Sequence, residues 1–273
     1  MAEFNIPVGM VRPYSTSQRA HSQVFKRRLM RDAIGPDNPL WHLLETLCIE
    51  DVMDFEDDFL TDLVTPFWAT GETGTGTPFA NLANTLGGVI RGTTEGADPA
   101  SERLLPTNNR VWATNSRPLL VARVRQPTAI TTSKFEVGFA AVDAAAGQVN
   151  VKATPTATGT DFAVIVRDTT DGTETSLASA RAAAGIAVVD FSPAFTWAVD
   201  VFNTLAIALN EINESYAWIN GIFSAVQRTA AANPADDTAI GPFIGIFTRS
   251  SAIRSFDVDY VKVVSERRVY SAT

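Results

Sequence analysis

The dipeptide Asn220-Gly221 lies between two short apolar runs, Tyr216-Ala217-Trp218-Ile219 and Ile222-Phe223-Ser224-Ala225-Val226. Asn-Gly is the preferred pair where both central residues of a two-residue turn need positive φ, so this stretch predicts a tight hairpin and fixes its register. Just upstream, Leu205, Ile207 and Leu209 alternate with Thr204, Ala206 and Ala208, the pattern of a strand that buries one face. The same period of two recurs earlier. Leu120, Ala122 and Val124 oppose Leu119, Val121 and Arg123, and Phe135, Val137 and Phe139 share a face that Glu136 does not. Phe162 to Arg167 reads as a further strand with a hairpin turn at Asp171-Gly172, and Gly87 to Gly92 as a short strand between turns. The segments Phe243 to Thr248 and Ser255 to Val264 complete the set. Strands at this spacing, without intervening helical periods, predict an all-β antiparallel β-sandwich, or jelly roll, over residues 50–273.

Residues 1–49 read differently. They are polar and proline-bearing, and Gly35-Pro36 and Asn38-Pro39 end a helical hint between Gln18 and Met30. Leu40, Leu43, Leu44 and Leu47 then fall at helical spacing, so a short amphipathic helix is expected. A helix that short needs a surface to pack on, either the sandwich or a neighbouring subunit. Charge divides at the same place. Residues 1–31 hold Arg12, Arg19, Lys26, Arg27, Arg28 and Arg31 against Glu3, about +5, and the net charge of −8 therefore leaves about −13 for the rest. A basic arm on an acidic body predicts docking onto an acidic surface. Nucleic acid is not the expected partner, because the body is acidic and lacks interleaved basic and aromatic residues. A membrane is not expected either, since no apolar run approaches the roughly 20 residues of a span. Met1 to Val11 lack the basic-then-apolar order of a secretory leader, and the single cysteine, Cys48, permits neither an intrachain disulfide nor a cysteine zinc site. These features predict a soluble protein made in a reducing cytoplasm, with Cys48 packed as a small hydrophobe.

The chemistry-bearing residues are few. Asp51, Asp54, Glu56, Asp57 and Asp58 form an acidic run, but the glycine and terminal glutamate of a calcium loop are missing, so a solvated beginning of a strand is expected. Gly71, Gly74 and Gly76 lack the Gly-Lys-Ser/Thr ending of a phosphate loop and read as a surface loop. His21 and His42 both precede the sandwich, which argues against a Ser-His-Asp arrangement. Asp257 and Asp259 alternate on the closing strand and are expected to face solvent or cap loops. Asn108, Asn109, Trp112, Asp236 and Asp237 occupy loop or strand-end positions and are candidates for carbohydrate binding, with Trp112 as the aromatic platform. Turn chemistry for the Asn and Asp residues and core packing for the tryptophan are the plainer reading. No metal and no cofactor is predicted.

Several of these stretches together resemble a known family. They are Asp54-Phe55-Glu56-Asp57-Asp58-Phe59, Trp68 and the Thr-Gly-rich loop after it, Arg117 to Arg125, Phe135 to Phe139, Leu205 to Asn210, Tyr216 to Gly221, and Phe256-Asp257-Val258-Asp259-Tyr260-Val261-Lys262-Val263. The pattern is similar to the concanavalin-like (laminin-G-like) jelly roll of bacteriophage virion proteins, over roughly residues 50–268. That resemblance implies a fold used by lectins, adhesins, glycosidase domains and capsid or tail components. Its glycosidases carry Glu-x-Asp-x-x-Glu on one strand, and no such run occurs here, so a non-enzymatic protein is expected. The resemblance and the charged arm together predict a virion structural protein, a capsid decoration or head-attached protein assembled in the host cytoplasm. In it the six basic residues of the arm, with Leu43, Leu44 and Leu47, would dock on a capsid or tail protein. A homo-oligomer is expected, a trimer by analogy with phage proteins. The alternative is a virion or tail-associated adhesin that binds host carbohydrate through Trp112, Asp236 and Asp237.

Overall fold

The computed structural model describes residues 52–60, 67–83, 88–107, 110–149, 155–171, 175–182 and 185–266. The basic arm, the expected amphipathic helix, Cys48, both histidines, Asp51, Asn108, Asn109 and Gly172 lie outside the described residues.

Among the described residues the strands form two antiparallel sheets. In the first sheet, β13 (Ile222–Gln227), β12 (Ser215–Ile219), β11 (Asn203–Leu209), β6 (Leu119–Arg125), β15 (Ser255–Glu266), β4 (Ile90–Thr93) and β3 (Thr77–Asn81) follow in that order. A further strand, β1 (Val52–Asp57), pairs with the second half of β15, Val52 opposite Glu266 and Asp57 opposite Val261. The second sheet runs β10 (Ala187–Asp190), β9 (Thr175–Ala180), β8 (Phe162–Asp168), β7 (Ser133–Ala140), β14 (Gly241–Thr248), β5 (Ser101–Pro106) and β2 (Trp68–Thr73). The expectation of an antiparallel β-sandwich holds.

Alternation decides which side chains enter the core. Leu120, Ala122 and Val124 of β6, Leu205, Ile207 and Leu209 of β11, and Val261 and Val263 of β15 point inward from the first sheet. Phe135, Val137 and Phe139 of β7, Ile165 of β8, and Ile244 and Ile246 of β14 meet them from the second. Full burial of each such side chain is worth about 1.5–3 kcal/mol, which makes this layer the main source of stability. The hairpin predicted at Asn220-Gly221 forms as expected, with φ of 51° and 79° at the two turn residues and Ile219 paired with Ile222. Its tip is also tied down sideways. Asn220 Oδ1 accepts from the Thr204 amide at 2.8 Å, and Asn220 Nδ2 donates to Asn203 Oδ1 at 2.9 Å.

A register shift between Val258 and Tyr260 interrupts β15. Both Val258 and Val261 enter the core, so the bulge absorbs one residue and restores the inward parity after it.

Candidate functional site

A sandwich of this kind offers two outer faces, and they differ here. On the outer face of the second sheet, the central strand β7 presents Lys134 and Glu136, both fully buried. The segment 141–149 closes over them. Lys134 Nζ donates to Glu136 Oε1 at 2.8 Å and to the carbonyls of Ala146 and Val149 at 2.7 and 2.5 Å. Glu136 also accepts the amides of Gln148 at 2.6 Å and Val149 at 3.0 Å. Burial lowers the Lys134 pKa, with Glu136 opposing the effect. Every oxygen of Glu136 is engaged, so this carboxylate is a structural pin and not an open acid or base. Arg103 of β5 likewise reaches Asp143 in the closing segment, Nε to Oδ1 at 2.6 Å, and Arg249 pairs with Asp168. The rest of this face is an apolar cluster that includes Phe162, Val164, Val166, Ala178 and Phe243.

The outer face of the first sheet has two halves. One is apolar, built by Leu119, Val121, Ala206, Ala208, Trp218 and Val264. The other is an ionic band around one aromatic ring. Asp257, fully buried, receives Arg91 through Nε (2.6 Å) and Nη2 (2.9 Å), and receives Arg125 through Nε (2.8 Å). The expectation that Asp257 faces solvent is therefore corrected. It sits opposite Arg125 on β6 and Arg91 on β4, and two guanidinium groups close over it. The hydrogen bond to Asp257 raises the Arg91 pKa further, which keeps the pair charged. Outward from this clamp, Arg125 Nη1 meets Asp200 at 2.8 Å and Arg123 Nη1 meets Asp259 at 2.5 Å. The guanidinium groups of Arg123 and Arg125 lie over the Phe202 ring, 4.6 and 4.4 Å from its centre. Arg123 is 44% exposed and Asp200 61%. The band thus offers paired donors and acceptors to solvent beside an aromatic ring, on a floor fixed by Asp257.

The residues named from sequence as carbohydrate contacts do not assemble. Trp112 is 2% exposed, packs against Phe55 and Phe67, and pairs with Ile240 through an isolated bridge. An indole buried in that aromatic cluster cannot serve as a platform for a sugar, which corrects the carbohydrate candidate and bears out the plainer reading of core packing. Asp236 and Asp237 are exposed on the loop that leads into β14, anchored below by Asp161, which accepts the Ala235 amide at 3.2 Å. Within the acidic run, Asp57 accepts from the Trp68 indole at 2.7 Å and Glu56 pairs with Lys262 at 3.2 Å. The ionic band escaped notice because its members come from four distant stretches of chain. The signal that could have found it is the double basic alternation Arg123-x-Arg125 facing Asp257-x-Asp259 on two strands that both read as β.

No family model matches the chain, and no curated protein matches it. Solved structures do. A protein of unknown function from Shewanella oneidensis MR-1 superposes with a TM-score of 0.56 at 13% identity, over 86% of this chain and 97% of its own. Peanut lectin superposes with a TM-score of 0.54 at 12% identity, over 80% of this chain and 99% of its own. The fold is a concanavalin-like jelly roll. A β-1,3-glucanase from Mycobacterium marinum shares this jelly roll as well, with a TM-score of 0.52 at 8% identity, over 77% of this chain and 97% of its own. That likeness overturns the expectation of a non-enzymatic protein. The jelly roll carries an enzyme as well as a lectin, and the lack of one Glu-x-Asp-x-x-Glu run does not exclude carboxylates supplied by separate strands.

Proposed function

We propose that this jelly roll recognises carbohydrate, and that the ionic band on its first sheet is the contact surface. The observation that carries the reading is the exposed pairing of Arg123 with Asp259 and Arg125 with Asp200 around Phe202. A glycan presents vicinal hydroxyls that both donate and accept, together with apolar C–H faces. Adjacent charged donors and acceptors beside a ring meet both needs. The solved neighbours, a lectin and a glucanase among them, support the same reading at the level of fold. A glycan array on the full chain tests it. Specific binding that falls about tenfold or more in Arg123→Ala and in Asp259→Ala is expected, since each charge-assisted hydrogen bond is worth about 1.5–3 kcal/mol. No binding to any glycan, or binding indifferent to both substitutions, refutes the reading.

The charge split between residues 1–31 and the remainder favours a second, compatible reading. In it the basic arm attaches the jelly roll to a larger acidic assembly such as a virion shell, as a decoration or tail-associated adhesin. Removal of residues 1–35 would then abolish attachment to the particle. Attachment that persists at full strength after the truncation sinks this reading.

A further inference from the structure

One end of the sandwich holds polar side chains between the sheets. Gln126 continues the inward parity of Leu120, Ala122 and Val124, and Ser133 that of Phe135, Val137 and Phe139. Arg167 extends the inward row of Ala163 and Ile165 on β8. Gln126 and Ser133 are fully buried, and Arg167 is 3% exposed. Among the described residues the Arg167 guanidinium gives one hydrogen bond, from Nη1 to the Ile130 carbonyl at 2.5 Å, while Nε has no partner. No carboxylate among them pairs with it. Burial alone acts on its pKa, downward, whereas Asp257 raises that of Arg91. Gln126 Nε2 donates to Ser133 Oγ at 2.9 Å, and Gln126 Oε1 is a second buried atom without a partner.

Both side chains lie beneath one loop, residues 126–133, which joins β6 to β7. Gln126 bonds across its base to Ser133, and Arg167 bonds to the carbonyl at its middle. Arg167 stands opposite Phe135 in register, which places Ser133 at its diagonal on the same face, about 7–8 Å away. On its other side Arg167 faces Thr175, whose Oγ1 accepts from the Trp197 indole at 2.8 Å. The loop does not depend on Arg167. Arg254 Nε donates to the Thr131 carbonyl at 2.7 Å, Arg254 also meets Thr132 Oγ1, and the Arg249 amide donates to the Thr132 carbonyl at 2.9 Å. A buried cation without a counter-charge is costly, and here the loop it touches is already held from outside.

We infer that Arg167 and Gln126 together bind a small oxyanion that retains a proton, of the class of hydrogen phosphate. A guanidinium supplies the opposite charge and a fork of N–H donors for two oxygens of such an ion. The carbonyl oxygen of Gln126 is an acceptor and takes the ion's O–H. Sulfate, which carries no proton near neutral pH, meets the first demand and fails the second. The burial of Arg167 favours the free ion over a phosphate ester, whose carrier would have to pass the same loop. The site lies between the sheets and apart from the ionic band on the outer face, so it stands or falls independently of the carbohydrate reading.

Isothermal titration of the full chain with inorganic phosphate, at fixed ionic strength and neutral pH, tests this. A single saturable site per chain is expected, with sulfate and glycerol 3-phosphate each binding at least tenfold more weakly. Hydrogen exchange on the same protein should show phosphate slowing the amides of residues 128–132. Arg167→Met, similar in length and uncharged, should fold and lose the site. Phosphate at a hundredfold excess over Kd should raise the melting temperature of the unaltered protein by about 4 °C or more and leave that of the variant unchanged. Absence of a saturable site, equal affinity for sulfate or for the ester, or protection confined to other parts of the chain overturns the inference. Phosphate binding that survives in Arg167→Met does so too. Should that variant fail to fold, the titration and the exchange on the unaltered protein decide the matter.

Discussion

Glu102 is the residue whose behaviour with pH tests the physical picture most directly. It projects inward from β5, opposite Ile246 and beside Glu72, and is fully buried beneath the turn at residues 74–76. Neither carboxylate oxygen has a hydrogen-bond partner. Burial pushes its pKa from 4.5 up to about 7, with Glu72 and Glu95 adding to the rise and Arg103 opposing it. The folded state therefore holds this proton more tightly than the unfolded chain does. Stability from the group is complete below about pH 4.5, declines as pH rises towards about 7, and is flat beyond. A shift of that size corresponds to about 3 kcal/mol in the fully screened-off limit, at about 1.4 kcal/mol per pH unit. The turn that covers Glu102 is itself exposed at Gly74 and Thr75, so solvent close above the carboxylate screens part of this, and about 1–2 kcal/mol is expected. Glu102→Gln keeps the shape and removes the ionisation. Urea denaturation of both proteins at about pH 5 and about pH 8 isolates the term, because every other titrating group cancels in the double difference. The variant should gain about 1–2 kcal/mol on the wild type between the two pH values. A double difference near zero would refute the reasoning, because it would mean that the buried carboxyl ionises as it does in the unfolded chain.

Two further outcomes follow from the same contacts. Arg125→Ala leaves the buried Asp257 with Arg91 alone and exposes one edge of Phe202; a loss of about 2–3 kcal/mol in chemical denaturation is expected, with the fold retained. Gly147 has φ of 85°, and a Cβ there would overlap the Lys134 ammonium and the Glu136 carboxylate, so Gly147→Ala should cost about 2 kcal/mol or more in thermal melts and speed amide exchange at Gln148 and Val149.

The fold was legible in the sequence wherever local rules act alone. Asn220-Gly221 needs only its own backbone preference, and the inward faces of β6, β7 and β11 follow from alternation. What was misread depends on distant partners. Asp257 alternates like a solvent-facing residue, yet its two guanidinium partners lie 166 and 132 residues away in sequence. Alternation places Glu136 on the face opposite Phe135, Val137 and Phe139, but the donors that bury it include the backbone amides of Gln148 and Val149, which carry no side-chain signature. Trp112 is different, because core packing is the plainer reading of that tryptophan, and its contacts with Phe55 and Phe67 and its bridge to Ile240 bear it out.

The twelve residues of β15 pair with β4, β6 and β1, so one late segment joins three pieces of the first sheet. The ion pair between Lys262 and Glu56 spans 206 residues. On the ribosome, β1 and β4 must therefore wait, unpaired with their eventual neighbour, until β15 emerges. Contacts so distant in sequence make folding slow, because loop closure precedes any reward from pairing. Through that interval the strand edges and apolar faces of the first sheet are open to wrong partners, so the hazard to this protein's yield lies in the time before β15 arrives.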